Sequence, residues 1–309
     1  MDDYTPQKTD RRLVLSDLGF LEEPFSRTAD PRFLFLSYGH RKILDGVQNT
    51  VLQHRGLAVI EGDIGLGKSS IGRRLETIYR LEPDNYFVVY IHSSGYESEY
   101  AALTDVSIAL GLEPRRGLTK SYRQLESHLI SLSAKNINTI IILDDAQFMS
   151  VDALSFVHTL YNFDSPRIGK LAQVVLIGQI DTVEVTENGQ LPLPIAEGRS
   201  KSLTNLLNQR REVRSRVDRF FRLDPLTLEE TLGMVNFRSS VAGRSTPFLN
   251  RPAIIKLWEY SQGVPRTIVA VCSQAIDILG EQNKTTVDEQ AMNMAIEAVS
   301  NPSDQEEAS

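Results

Sequence analysis

The run from Leu57 to Ile71, LAVIEGDIGLGKSSI, constrains this chain more than any other stretch. Gly62, four residues and then Gly67-Lys68-Ser69 follow directly on an apolar strand and lead directly into a helical pattern. That is the context a phosphate-binding P-loop requires. Gly62, Gly65 and Gly67 let the backbone turn tightly enough for its N–H groups to face one concavity, and N–H donors at a helix N-terminus form an anion site. Lys68 then reaches the outer phosphates as a point charge, and the Ser69 hydroxyl is suited to Mg²⁺. The cradle predicted for ATP and Mg²⁺ therefore runs through Gly62, Asp63, Ile64, Gly65, Leu66, Gly67, Lys68, Ser69 and Ser70.

A loop of this kind needs a sheet behind it. Tyr86 to Ile91 (YFVVYI), Thr139 to Leu143 (TIIIL) and Gln173 to Ile177 (QVVLI) are short apolar runs of the buried parallel type, and Phe220 to Leu223 is a plausible further strand. Helical patterns fall between them at His40 to Gln53, Thr104 to Leu112, Ser121 to Ser131, Ser150 to Tyr161 and Leu203 to Val217. The predicted fold class is α/β, a P-loop parallel sheet covered by helices on both faces, with ligands at the strands' carboxyl ends. TIIIL ends in Asp144-Asp145, which places Asp144 to hold Mg²⁺ directly or through water, and Asp145 to orient the attacking water.

Beyond Asp224-Pro225 only helices are expected. Thr227 with Glu230 forms a capping-box pattern, Asn250 and Pro252 open a second helix, Gly263 follows its end, and Thr286 with Glu289 is read as the cap of a last one. Leu257, Trp258, Ile268, Val271, Ile276 and Met294 are read as the core of this bundle, a lid. The division is a mobile N-terminus over 1–17, an α/β domain over 18–224, a helical lid over 225–300 and an acidic tail over 301–309. Within it, Leu18 to Leu36 packs four phenylalanines around two prolines too irregularly for a long helix, and is read as an apolar strap lying against the nucleotide domain. Leu191 to Arg199 (LPLPIAEGR), inside an insertion over 185–202, breaks periodicity and is read as an exposed loop.

Charge and composition exclude more than they assign. A formal net charge of −7 gives no global field for nucleic acid, and no apolar run reaches the length of a membrane span. With no signal-peptide pattern at its start, the chain is expected in the cytoplasm. His40, His54, His92, His128 and His158 show no metal-ligand spacing, and the single cysteine, Cys272, reads as a core thiol. Between Arg199 and Arg222 eight basic residues face two acids, Glu212 and Asp218. That run is a solvated helix face, an arginine finger or a polyanion contact.

Taken in order, LGFLEEPFSRTADPRFLFLS, GDIGLGKSS, IIILDDAQFMS, VVLIGQ, NQRREVRSRV, LDPLTLEET and SQGVPRTI resemble the AAA+ ATPases, in the group that includes ExeA-type ATPases of general secretion and TnsC- and MuB-like ATPases of transposons. The resemblance spans about Leu18 to Val299. It implies that Lys68 and Ser69 form the Walker A pair, that Asp144 and Asp145 form Walker B, and that Gln179 stands at the first sensor position. It further implies that Arg216 is the finger for a neighbouring copy's nucleotide, with Arg214 and Arg211 as alternatives, and that Arg266 is the lid's second sensor. Nucleotide-dependent rings or filaments of the chain with itself are then expected. The family usually has Glu where this chain has Asp145; a carboxylate withdrawn by about 1 Å costs of order 100-fold in rate, so turnover is expected to be slow.

Two functional classes follow. The favoured one is an oligomeric switch on duplex DNA that recruits a transposase and target-selector proteins, with Arg115, Arg116, Thr119 and Lys120 in the loop that would meet phosphates. The other is a secretion-type assembly ATPase that remodels protein partners without DNA. A small-molecule kinase is disfavoured by the lid and by the lack of an acceptor site.

Overall fold

The structure is a computed structural model that describes residues 11–26, 30–180, 202–282 and 284–300. It divides into two compact units, residues 38–224 and residues 1–37 with 225–309.

The described part of the α/β unit has five strands of five to eight residues and two short hairpin pieces. β1 (Leu57–Gly62), β2 (Tyr86–Ile91) and β3 (Asn138–Leu143) precede a two-stranded antiparallel hairpin of β4 (Asp164–Ser165) and β5 (Gly169–Lys170), then β6 (Ala172–Gln179) and β7 (Arg219–Leu223). Leaving the hairpin aside, five strands form one parallel sheet in the order β2-β3-β6-β1-β7. Every residue of β1 and β3 is buried, which is why these runs are apolar throughout and do not alternate. The period of two still decides the face. Leu57, Val59, Ile141, Leu143, Val174 and Leu176 enter one continuous core with the helices Glu99–Ala109, Leu118–Ala134 and Leu154–Tyr161. Ile60, Ile140, Ile142, Val175 and Ile177, on the alternate positions, are equally buried. The helices Tyr38–Leu52 and Lys68–Arg80 pack on the sheet as well, and the first lies so close to β7 that a Cβ on Gly46 would meet the Phe221 ring at 2.4 Å.

Two expectations need correction in this unit. The helix expected over Leu203 to Val217 is two pieces, Leu203–Gln209 and Arg211–Arg214. Arg210 leaves helical geometry at φ −126° and ψ 74°, and its guanidinium turns to the Val151 carbonyl, to Ser155 and to Glu212. The helix expected from Ser150 begins at Leu154, after a turn in which the Ser150 hydroxyl accepts from the Ala153 N–H. Leu191 to Arg199, Lys201 and the tail from 301 lie outside the described residues.

Of the N-terminal segment expected to be mobile over 1–17, residues 1–10 lie outside the described residues and the rest is ordered. Arg11–Asp17 is a helix that buries Val14 and Leu15, and Arg11 bonds Glu23, Asp277 and Ser273. The strap does not belong with the α/β unit: Leu18, Phe20, Phe25 and Phe33 sit in one core with Met234, Phe248, Leu257, Ile268 and Cys272. An aperiodic aromatic segment has no face of its own to signal where it packs. Here two buried cations fix it. Arg238 donates to the carbonyls of Pro24, Ser26 and Phe33, and Arg244 to those of Leu18, Thr246, Pro247 and Thr285. Each guanidinium also lies over a strap ring, Arg238 at 5.2 Å from Phe33 and Arg244 at 5.4 Å from Phe20.

The capping pattern at Thr227 and Glu230 is present in full, and Asn250 caps Arg251–Ser261, with Gln262 and Gly263 both turning to positive φ at its end. Thr286 does not cap the last helix. Asp288 does, accepting from the Ala291 N–H at 2.9 Å ahead of Glu289–Ser300. Leu257, Ile268, Val271 and Ile276 are core as expected; Trp258 is half-buried with its Nε1 on the Leu226 carbonyl, and Met294 is 40% exposed while Met292 is buried. Cys272 is fully buried, and burial raises its thiol well above the usual range.

Candidate nucleotide-binding site

The carboxyl ends of β1, β2, β3 and β6 bring together most of the residues that the sequence singled out. β1 delivers Gly62, residues 63–67 turn, and the helix Lys68–Arg80 starts. Gly67 is its N-cap at φ +98°, a left-handed conformation that side chains rarely adopt; a Cβ there would also approach His40 Nε2 to 3.1 Å. Being glycine, it offers no side-chain acceptor to the first-turn N–H groups. The positive end of the helix dipole at this turn favours an anion. Lys68 is buried, with Nζ donating to the Asp63 carbonyl at 2.7 Å, so the ammonium is folded back over the loop. Ser69 is exposed.

Asp144 ends β3, is 4% exposed, and has both carboxylate oxygens engaged. Oδ1 accepts from the Asp145 N–H at 2.9 Å and Oδ2 from the Tyr90 hydroxyl at 2.7 Å. Tyr90 Oη also lies 3.2 Å from the Ser69 carbonyl. A phenol has one proton, and the shorter contact, to a carboxylate, is the one it makes. Burial first, and the bond to Asp144 second, raise the Tyr90 pKa far above its ordinary value, so it remains a donor at any physiological pH. Tyr90 thus spans the two arms of the site, with Ser69 on one side and Asp144 on the other. The Asp144 carbonyl is held in turn by the N–H and hydroxyl of Ser94, at 2.9 and 2.6 Å.

Asp145 stands in the left-handed region, φ 54° and ψ 34°, as N-cap of a short 3₁₀ turn over Ala146–Phe148. Asp is one of the few residues with a side chain that tolerate this region. Its Oδ1 accepts from Gln147 Nε2 at 3.1 Å, and Gln147 Oε1 accepts from the Gln179 N–H at 3.1 Å. Asp145 and Gln179, read separately in the sequence, are therefore one side chain apart. Sequence reasoning assigned no role to Tyr90 or Gln147.

Within the α/β unit, the other expected residues lie elsewhere, and Arg266 belongs to the helical unit. Arg216 precedes β7, whose first residue, Arg219, pairs with Ala58 at the start of β1. Four steps of strand separate Ala58 from Gly62, about 13 Å at the usual rise. There Arg216 donates to the His158 carbonyl at 3.1 Å and to Asn162 Oδ1 at 2.7 Å, with its guanidinium over the Tyr161 ring. It borders a cleft of about 580 Å³ that His54, Arg55, Lys170 and Asp218 also line. Arg214 is exposed and stacks on Phe220; Arg211 is exposed. Arg266 is exposed in the first turn of Pro265–Gln282, in the helical unit. Arg115, Arg116, Thr119 and Lys120 are all exposed where the chain enters Leu118–Ala134. Among the described residues no cluster of His, Cys, Asp and Glu suits a metal ion by itself, and no helix is long and apolar enough to cross a membrane.

The donor set fits a metal-bound polyphosphate: N–H groups and an ammonium for phosphate oxygens, a hydroxyl and a carboxylate for a hard cation. Residues 50–185 match the family model described as an AAA domain. General secretion pathway protein A of Aeromonas hydrophila is 25% identical over 258 residues, which covers 84% of this chain and 43% of that protein. The chain thus spans less than half the length of that relative. Among solved structures, the Aeropyrum pernix ORC2 protein in its ADP form matches at a TM-score of 0.62 and 15% identity, covering 90% of this chain and 73% of that one. Drosophila ORC bound to DNA matches at 0.56 and 15%, covering 99% and 70%. The loop, the strand order and the family match agree: residues 50–185 match an AAA domain, on a P-loop parallel sheet of the fold seen in those structures.

Proposed function

We propose that the chain is an ATP-dependent switch that assembles with copies of itself and acts on protein partners, in the manner of a secretion-type assembly ATPase. The observation that carries the nucleotide part is the span from Ser69 through Tyr90 to Asp144: the backbone of the residue with the metal-suited hydroxyl and the carboxylate after β3 are set around one tyrosine. Lys68 and the loop N–H groups would bind the β- and γ-phosphates, Ser69 and Asp144 would hold Mg²⁺, and Asp145 would orient water. The bound ion would supply charge neutralisation at the transferring phosphoryl group.

The shared site rests on Arg216. An arginine at the amino ends of the strands cannot reach its own chain's loop across about 13 Å of sheet, so a role in hydrolysis requires a second copy. Asn162, the His158 carbonyl and the Tyr161 ring hold it in one orientation. Arg266 would serve as the lid's sensor. The secretion-type reading of the partner is supported by the relative from Aeromonas hydrophila.

The exposed loop of Arg115, Arg116, Thr119 and Lys120 supports a second reading, assembly on duplex DNA with a transposase and target selectors as partners. The Aeromonas hydrophila relative favours the secretion-type reading, so this one stands second. The test of the whole is a mixing experiment. Arg216→Ala and Asp145→Asn should each lose roughly 100-fold or more in ATP turnover, and mixing them should restore activity, since mixed interfaces pair an intact carboxylate with an intact finger. No recovery on mixing refutes the shared site, and unaltered ATP uptake by Lys68→Ala refutes the nucleotide site. Salt-sensitive binding to duplex DNA with a non-hydrolysable ATP analogue would promote the second reading; its absence at low salt removes it.

A further inference from the structure

Gln147 is 5% exposed and is the one side chain that touches both the catalytic carboxylate and the end of β6. Its amide cannot be reversed. Turning it would set Nε2 against the Gln179 N–H and Oε1 against the Asp145 carboxylate, donor on donor and acceptor on acceptor. Gln179 has a reason to need it. β3 stops at Leu143, in register with Leu176, while β6 continues to Gln179. The Ile180 N–H turns to the Gly62 carbonyl on the β1 side, so the Gln179 N–H faces the side on which β3 has ended. Gln147 Oε1 takes the place of the missing strand. The approach depends on Gly178: a Cβ there would stand 3.0 Å from Oε1 and 2.8 Å from Leu203 Cβ.

At its other end the amide donates to one oxygen of Asp145 and leaves the second for water. Asp145 has a short side chain on a left-handed backbone, and a neutral donor fixes its rotation without neutralising it. We propose that Gln147 is a positioning residue for hydrolysis: it aims the Asp145 carboxylate by anchoring it to the Gln179 backbone, so that the water-orienting group and the end of β6 move as one. This rests on the ATPase reading above.

Two variants separate the two ends of the link. Gln147→Ala loses both bonds. Gln147→Glu is nearly isosteric, still accepts from the Gln179 N–H, but cannot donate to Asp145 and repels it. Both should lower kcat by about 10-fold or more while the dissociation constant for ATP stays within about twofold. Amide hydrogen exchange gives the readout that does not depend on turnover: the Gln179 N–H should exchange faster in Gln147→Ala and remain protected in Gln147→Glu, which also shows that the second variant is folded. Wild-type kcat in Gln147→Glu, or unchanged Gln179 exchange in Gln147→Ala, overturns the proposal. Failure of the parent reading looks different: wild-type protein would not hydrolyse ATP, or Lys68→Ala would hydrolyse it equally well, and the positioning role would fall with it.

Discussion

The Tyr90 hydroxyl donates to Asp144 Oδ2 at 2.7 Å while lying 3.2 Å from the Ser69 carbonyl, so one phenol oxygen fixes the separation of the loop and the carboxylate that the proposed site sets around one cation. Partners of this kind around ligating carboxylates are worth about 10- to 100-fold in metal affinity or activity. Tyr90→Phe keeps the ring, its stacking on His92 and its packing beside Gly72, and removes only the oxygen. It should weaken Mg²⁺-dependent ATP binding by about 10-fold and leave Mg²⁺-free ADP binding unchanged. Titrations of both nucleotides with and without Mg²⁺ check this; equal losses in all of them would mean that Tyr90 serves the fold and not the cation.

Asp145 combines a short carboxylate with a backbone at φ 54°. Asp145→Glu restores about 1 Å of reach, and turnover should rise, by up to about 100-fold if reach alone limits it. Glu accommodates the left-handed region less well, so the same change should cost up to about 1 kcal/mol of stability. Steady-state hydrolysis and thermal unfolding of the variant test both halves. Unchanged or lower turnover would show that the shorter residue is not what limits the rate.

What the sequence made legible and what it hid divide along contiguity. The loop from Gly62 to Ser69 and the pair Asp144-Asp145 each lie in one short run, and their chemistry depends on neighbours in the chain. The parallel strands were legible because burial on both faces makes them apolar throughout. Tyr90 and Gln147 act through space on residues far along the chain. Their only signals were a phenol one place before the end of an apolar strand, and an amide in a turn that buries it. The strap was misplaced for the same reason: Arg238 and Arg244 look like ordinary helix cations until their carbonyl partners, some 200 residues away or across a turn, are known. Arg210 broke a helix that periodicity alone would have continued.

Arg238 makes three charge-assisted bonds to strap carbonyls and is buried among apolar side chains, which lowers its pKa from the ordinary guanidinium value. Arg238→Ala would orphan the carbonyls of Pro24, Ser26 and Phe33 together and open a cavity beside Phe33. We expect a loss of about 3 kcal/mol or more in the helical unit, with the strap becoming accessible to proteases. Arg238→Lys should recover little, because one ammonium cannot match three acceptors that a planar fork meets at fixed angles. Denaturant unfolding and limited proteolysis of both variants decide it; full rescue by lysine would mean that the charge matters and the geometry does not.

Asp288, not Thr286, caps the last helix, and its carboxylate pKa is lowered chiefly by its bond to Lys284 and then by the Ala291 N–H. Asp288→Ala should therefore cost about 1 kcal/mol at neutral pH, while Thr286→Ala should be close to neutral. The sign of the pH dependence follows from linkage. A carboxylate whose folded pKa lies below its unfolded value, about 3.9, binds fewer protons in the folded state. Its contribution is complete above that value and disappears as pH falls through the folded pKa. The stability gap between wild type and Asp288→Ala should then be constant from pH 7 to about 5 and shrink below about 4. Thermal unfolding of both proteins across that range measures it, and a gap that persists at the lowest pH would assign the effect to packing and not to the charged cap.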